Sequence, residues 1–237
     1  MIKPTGAKTG EVLSKIETGR HAVPVLPVRD TVLFPHAVLP LTVGRESSIH
    51  LIQSLGEEKT ILVVAQKDAR LDTPEGSDLH TVGTRATVHK VVKMPNQSLF
   101  VFTEGNDRVK LGEFSQITPF MMAEYDVLHE AEPAKTPELE ALQRNVVSQF
   151  QQIVTASPTL SDDLQTIAIN IDEAGRLADF IASSLPFLTT ADKQALLELG
   201  DITARLERIN QHLAKELEVQ QLRNKIQSEV QDSVQSS

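Results

Sequence analysis

The chain has 237 residues, of which 40% are hydrophobic and 23% charged, a composition typical of a globular protein that buries a core in one large or two modest domains. No apolar run approaches the ~20 residues of a membrane helix, and the polar N-terminus lacks a signal peptide's apolar segment, so we expect a cytoplasmic protein without a membrane partner. The absence of cysteine excludes disulfides and thiolate zinc sites, and the net charge of -9 argues against nucleic acid as a partner.

The first part of the chain changes from a polar arm to apolar extended segments. Residues 1–21 contain three glycines among polar residues, which predicts a loosely held arm with a short helix near residues 12–16. Val23–Val28 and Val38–Val43 are short apolar segments in which each proline favours extended geometry at the preceding residue. Apolar side chains at helical spacing in ESSIHLIQSL, residues 46–55, predict one amphipathic helix.

Residues 60–128 carry the patterns of β-strands. Thr60–Gln66 is a continuous apolar run, typical of a strand that is buried on both faces. Val82–Met94 alternates between apolar and polar side chains, as a half-buried strand does. Turns are predicted at PNQ, residues 95–97, and at GND, residues 105–107. A meander of strands with one inserted helix is the expected result. Its last strands are LFVFTE, RVKLGEF and residues 120–128.

Beyond residue 130 the pattern becomes helical. Five helical segments are predicted, and the first begins at Thr-Pro-Glu, a capping threonine followed by the proline tolerated at the first helical position. The last helix is long, and its apolar stripe changes course after Leu217, because nine residues at 100° each turn Leu222 opposite Leu213. We expect the first stripe to close the bundle and the second to contact another subunit. The predicted oligomer contacts are Val219, Leu222, Ile226 and Val230.

These segments predict an α+β fold, with a β-rich pseudo-barrel and one inserted helix followed by an all-α bundle that ends in a long projecting helix. The predicted divisions are an arm at 1–21, a β-rich domain at 22–130, a linker at 131–137, a helical bundle at 138–200 and a long C-terminal helix at 201–237.

No motif in the chain predicts catalysis or metal binding. GAKTG, residues 6–10, departs from the phosphate-loop pattern, since alanine precedes Lys8 where glycine is required and no strand leads into it. None of the seven histidines forms H-E-x-x-H, and no G-x-S-x-G elbow is present. We therefore predict that this chain is not an enzyme, with no catalytic residue, metal or cofactor.

The chain does offer apolar residues that prolines or turns keep from complete sheet pairing. Met94 and Pro95 lie at the predicted hairpin tip, and methionine adapts to varied shapes in binding surfaces. These residues are either a binding surface or plugs for the ends of a small barrel. The candidate binding residues are Leu33, Phe34, Pro35, Val38, Leu39, Met94, Pro95 and Met121.

Several long stretches closely resemble the N-terminal region of bacterial Lon, the ATP-dependent protease. They are VPVLPVRDTVLFPHAVLPLTVGRESSI, DLHTVGTRATVHKVVKMPNQSLFVFTEGNDRVKL and RLADFIASSLPF, and the match extends over about residues 22–228 in the same order. The resemblance implies a PUA-like domain followed by a helical bundle whose last helix leads towards an AAA+ module. It implies that the ATP, the magnesium and the Ser-Lys protease site belong to modules that this chain lacks, so that the chain looks like a fragment.

For this region the resemblance implies substrate recognition and support of a hexamer. The expected partners are unfolded or damaged proteins and short-lived regulatory proteins, together with other copies of the chain. Two alternatives stay open, namely a stand-alone Lon-N-like adaptor without a protease and a PUA-like RNA-binding module. Acidic net charge and the lack of a basic, aromatic-studded sheet face argue against the second.

Overall fold

The computed structural model describes residues 18–235 and has the predicted mixed architecture, a β-rich part followed by helices. The short helix expected near residues 12–16 lies outside the described residues. The strands are β1 (Thr18–Val28), β2 (Val38–Val43), β3 (Thr60–Ala65), β4 (Val82–Lys93), β5 (Leu99–Gln116) and β6 (Met122–Val127). The helices are α1 (Glu46–Gln53), α2 (Pro137–Ala156), α3 (Asp163–Ile169), α4 (Ala174–Ser184), α5 (Thr190–Glu198) and α6 (Ile202–Gln235).

The sheet closes on itself through β6, which pairs with both β1 and β5. The strand order is β2-β5-β4-β3-β1-β6, and the further β5–β6 pairing joins five of these strands into a pseudo-barrel. The β1–β3 pair is parallel and the other pairs are antiparallel. Strand β2 pairs with the first half of β5, from Val38 opposite Glu104 to Val43 opposite Leu99. The predicted α+β class with a β-rich barrel and one inserted helix is confirmed.

The turn predicted at GND is wrong, because these residues continue β5, which runs unbroken for 18 residues. Arg85 of β4 pairs with Asp107 and Ala86 pairs with Gly105, so Asn106 is an extra residue that bulges the strand. Gly105 is needed for close packing rather than for a turn, since a Cβ built there would lie 2.2 Å from the carbonyl oxygen of Phe34. One bent strand therefore replaces the two strands that were expected.

The core has two parts on opposite faces of β3, whose residues Ile61–Ala65 are all buried, as the continuous apolar run predicts. One cluster lies around Val25, Leu62 and Met121. The other contains side chains of β1 to β5 and α1 and continues into the helices of the bundle. Helix α2 begins as predicted, since the amide of Leu139 donates to the hydroxyl of Thr136 at 3.2 Å.

The barrel and the bundle meet at a buried ionic cluster of Arg108, Glu130, Asp179 and Arg205. Arg108 of β5 is 3% exposed, and it also donates to the carbonyl oxygen of Leu197 at 2.7 Å. The side chains of Arg205 and Glu130 are in direct contact. The predicted domain boundaries stay a prediction, but this junction ties the two parts together through buried charge as well as through apolar contact.

Helix α6 is buried along its first half only. Its inward stripe is the predicted one, and residues 221–231 are all exposed. Because the helix extends well past the bundle, its second half offers an uncovered apolar row within the described residues. The buried residues of the first stripe are Ile202, Leu206, Ile209 and Leu213.

Candidate functional site

The segment that connects β1 to β2 closes the barrel rather than offering its apolar side chains to solvent. Leu33 is 2% exposed and Phe34 is fully buried, and Pro35 is buried beside them. The amide of His36 donates to the carbonyl of Gly105 at 2.8 Å, while the hydroxyl of Thr84 donates to the carbonyl of Leu33 at 2.5 Å. These bonds satisfy the backbone where the prolines prevent sheet pairing, so the side chains are free to fill the core.

The expectation that Leu33, Phe34 and Pro35 face a client is therefore wrong for this structure. Met121 is also buried, at 7% exposure, where it packs in the cluster with Val25. Apolar residues at a barrel end are more stable as its plug than in water, which is the alternative that the sequence left open.

The other predicted residues are at least partly accessible. They lie at two places, the start of β2 and the tip of the β4–β5 hairpin. Val38 is 62% exposed at the start of β2, and Leu39 is half-buried next to it. Met94 is 39% exposed at the tip of the β4–β5 hairpin, and Pro95 is exposed beside it. A turn fixes this tip, in which the amide of Gln97 donates to the carbonyl of Met94 at 3.0 Å, as PNQ predicted.

Between these two places the solvent face of the sheet carries a row of apolar side chains beside the polar Thr42, Lys90 and Glu104, a feature that the sequence reasoning missed. Pro40 of β2 lies opposite Phe102 of β5, which lies opposite Lys90 of β4. In the next row of this face, Phe100 lies opposite Val92. The two phenylalanine rings meet edge to face with centroids 5.2 Å apart, and both side chains are half-buried. We call Val38, Pro40, Val92, Phe100 and Phe102 the apolar patch.

A signal for this face was present in LFVFTE. Leu99, Val101 and Thr103 are buried, so the alternation of a strand places the intervening phenylalanines on the opposite face. Sequence alone gives no reason why that second face should stay uncovered. In the structure no helix of residues 18–235 packs on it closely enough to bury it, and the phenylalanines remain partly accessible.

A groove continues from Val38 and Leu39 to the bundle. It has a volume of about 520 Å³ and lies between the β1–β2 connection and helices α4 and α5, with Phe180 and Leu188 among its lining residues. Lys193 also lines it, and burial lowers the pKa of this amine. Its Nζ atom lies 3.5 Å from the carbonyl oxygen of Ser183. The groove therefore has mixed walls, in which apolar side chains such as Phe180 lie beside polar residues, the carboxylate of Asp30 and the amine of Lys193.

The predicted oligomer contacts lie along the second half of α6. Leu222 and Ile226 are 55% and 60% exposed, Val230 is 55% exposed, and Val219 is half-buried. Residues spaced by four lie on one side of a helix, so these side chains form the uncovered row described above.

The part of the chain that the structure describes holds no group of three or more histidine, aspartate or glutamate side chains placed to bind a metal ion. Within the same residues, no helix combines the length and the apolar composition that a membrane crossing needs.

The sequence over residues 22–215 matches the family model of the ATP-dependent protease La (LON) substrate-binding domain. The chain belongs to the Lon protease family. Over 215 residues it is 68% identical to the Lon protease of Koribacter versatilis, which covers 91% of this chain and 26% of that protein. Over 219 residues it is 36% identical to the Lon protease of Escherichia coli, covering 92% of this chain and 28% of that protein. The chain thus spans about a quarter of the length of these relatives, and it corresponds to the substrate-binding N-terminal domain of a Lon protease.

Solved structures show the same fold. The N-terminal domain of Lon protease from the Mycobacterium avium complex superposes with a TM-score of 0.65 at 21% identity, over 82% of this chain and 98% of that one. The Lon N-terminal domain protein of Xanthomonas campestris gives a TM-score of 0.56 at 17% identity, over 80% of this chain and 96% of that one.

Proposed function

We propose that the apolar patch, the hairpin tip and the groove together bind exposed apolar segments of unfolded or damaged proteins and of short-lived regulatory proteins. The observation that carries this proposal is the continuity of the surface, which runs from Met94 past the edge-to-face phenylalanine pair to Val38 and into the groove. A folded protein hides its apolar segments, so a surface of this kind distinguishes an unfolded client from its native form.

The mechanism is weak and adaptable binding. The Met94 side chain adjusts to different shapes, whereas Pro40 and the paired rings of Phe100 and Phe102 provide a fixed apolar floor. Several subunits that hold one client raise its effective concentration, so modest affinity at each copy is sufficient. The oligomer, a hexamer in the family, is thus part of the proposed mechanism.

Helix α6 supports this assembly in the proposal. Its uncovered row of Leu222 and Ile226 offers a second copy an apolar stripe at helical spacing. Client capture by this chain then serves an ATP-dependent serine protease of the cytoplasm, in which ATP and magnesium act in a separate ATPase module and hydrolysis occurs in a protease module. The role of this chain is recognition.

Chemical-shift mapping tests where the client binds. Methyl-labelled protein is titrated with reduced and alkylated lysozyme, which is permanently unfolded, and in parallel with native lysozyme. We expect the methyl signals of Val38, Val92 and Met94 to shift with the unfolded protein alone, because they lie on the proposed surface. Shifts confined to the outer surface of α3, for example at Ile167, or equal shifts with native lysozyme, would reject this placement.

A further inference from the structure

The edges of β1 and β2 face a common slot. Among the described strands β2 pairs with β5 alone. On the β6 side of β1, the backbone pairing ends at Val25, whose amide donates to the carbonyl of Met121 at 2.9 Å, so residues 26–28 have no strand neighbour there. The slot has a volume of about 580 Å³ and is lined by residues 26–29 and 40–45, with Thr31 and Ser48. Pro27 and Pro40 have no N–H with which to pair the two edges, and this keeps the slot open.

One end of the slot is cationic. Arg29 and Arg45 both line it, and none of the lining residues is acidic. Arg29 bonds Asp72 at 2.7 Å, in a pair whose aspartate side chain is 89% exposed. Arg45 donates to the side-chain oxygen of Gln66 and lies 3.5 Å from the carbonyl of Leu71, but no carboxylate of residues 18–235 forms an ion pair with it. Burial, and then the charge of Arg29, lower the pKa of Arg45, while the charge of Asp72 opposes them.

The side chain of a largely buried serine opens onto the slot at the same end. Ser48 is 5% exposed and lines the slot, and no described residue forms a hydrogen bond with its side chain. It lies in the first turn of α1, whose N-cap residue Arg45 supplies no side-chain cap. The guanidinium, the hydroxyl and the amides of this turn are all hydrogen-bond donors, and an oxyanion is the ligand that accepts from such a set.

We propose that this slot binds the C-terminal carboxylate of an extended client peptide, with the carboxylate at Arg45 and Ser48 and the last residues between β1 and β2. A peptide fits better than a free anion, because the walls leading to the donors are strand edges and apolar residues such as Leu26 and Leu41. The volume is within the ~300–1,000 Å³ typical of ligand sites. The inference rests on the proposed function, and it adds a preference for clients that have a free apolar C-terminus.

The test compares two forms of one peptide. Fluorescein-labelled Gly-Ser-Gly-Ser-Ala-Leu-Val is prepared with a free C-terminal carboxylate and as the C-terminal amide, and its binding to the chain is followed by anisotropy. We expect the amide to bind at least about tenfold more weakly, since it loses charge-assisted hydrogen bonds. Arg45→Gln and Ser48→Ala should each lower the affinity for the free-acid peptide towards the affinity for the amide. Arg70→Gln, a change at an exposed arginine outside the slot, should leave the difference intact.

Equal binding of the acid and the amide by the unsubstituted chain would overturn the inference. So would an acid preference that survives in both Arg45→Gln and Ser48→Ala, provided that circular dichroism shows these variants folded. Inorganic phosphate that competes fully with the acid peptide at equal concentration would indicate a general anion site and would also overturn it. Unfolded lysozyme separates the two proposals: if it still binds while the acid and the amide are equal, only the carboxylate site fails, whereas no binding at all rejects the proposed function.

Discussion

Arg108 of β5 and Asp179 of α4 form a two-pronged pair across the junction of barrel and bundle, with Nη1 and Nη2 at 2.9 and 2.6 Å from the two carboxylate oxygens. Both side chains are at least nine-tenths buried, and Arg205 approaches the same carboxylate at 3.2 Å. Asp179 is thus the buried anion between two buried guanidiniums. Glu130, which lies just before the predicted linker, pairs with both arginines and supplies the second negative charge.

Removing the buried carboxylate should be costly. Asp179→Ala leaves Arg108 and Arg205 with Glu130 as their remaining acidic partner, and breaking a buried ion pair by deleting one member costs about 3–5 kcal/mol. We expect the free energy of unfolding to fall by about 3 kcal/mol or more, as measured by urea denaturation. Arg144→Ala, which removes an exposed arginine 3.8 Å from Glu140, should have no measurable effect. An equally small loss for Asp179→Ala would show that the junction does not depend on this cluster.

Gly105 should not tolerate a side chain. A Cβ at this position would meet the backbone oxygen of Phe34, which cannot move without displacing the barrel plug, so we expect Gly105→Ala to destabilise the protein by at least about 1–3 kcal/mol. Gly56→Ala is the matched control, because nothing lies within 4 Å of a Cβ built there. Thermal melts of the two variants make the comparison. A melting temperature for Gly105→Ala equal to that of the control would refute the close approach.

His212 should make stability depend on pH. Burial, the largest cause, lowers its pKa, while Arg208 and Lys215 lower it further and Asp192 opposes them. The folded state therefore binds this proton less readily than the unfolded state. Its contribution is complete above the unfolded pKa of about 6.5 and is lost as the pH falls towards the folded value. Urea denaturation at several pH values between 7.5 and 5.5 should show this decline, and His212→Gln should flatten it. An unchanged slope in the variant would assign the decline to other groups.

The second half of α6 should promote self-association. Ile226→Asp places a charge in the uncovered apolar row, so we expect sedimentation equilibrium to show weaker association than in the unsubstituted chain. Ser228→Asp adds the same charge at an exposed position outside that row and should have a smaller effect. A strictly monomeric unsubstituted chain at high concentration would argue against this use of the helix.

Local patterns in the sequence were enough to predict most of the elements. The apolar run of β3, the capping threonine of α2 and the buried stripe of α6 each depend on residues close together in the chain, and each is found in the structure. The turn predicted at GND was wrong because Gly105 packs closely against the backbone of Phe34, a residue far away in the sequence. A single sequence does not show such a contact, and glycine serves a turn or a close approach equally well.

The candidate site was only partly predicted, again because it depends on contacts between residues that are far apart in the sequence. Prolines marked the β1–β2 connection as irregular, but they did not show that Gly105 and Thr84 would satisfy its backbone and let Phe34 enter the core. Phe100 and Phe102 stay partly exposed because no helix packs over them within the described residues, and a local sequence pattern does not show such an absence. The charged cluster around Asp179 joins residues up to 75 positions apart, beyond the reach of any spacing rule.

The affinity of unfolded lysozyme for the double variant Val38→Asp, Met94→Asp is the most direct test of the proposed client surface. Both side chains are exposed, so the substitutions should leave stability nearly unchanged while placing charge on the binding surface. Ile167→Asp, at an exposed isoleucine of α3, controls for the added charge. We predict that the double variant binds about tenfold more weakly than the unsubstituted chain and that the control does not. Equal affinity of all three proteins would contradict the account.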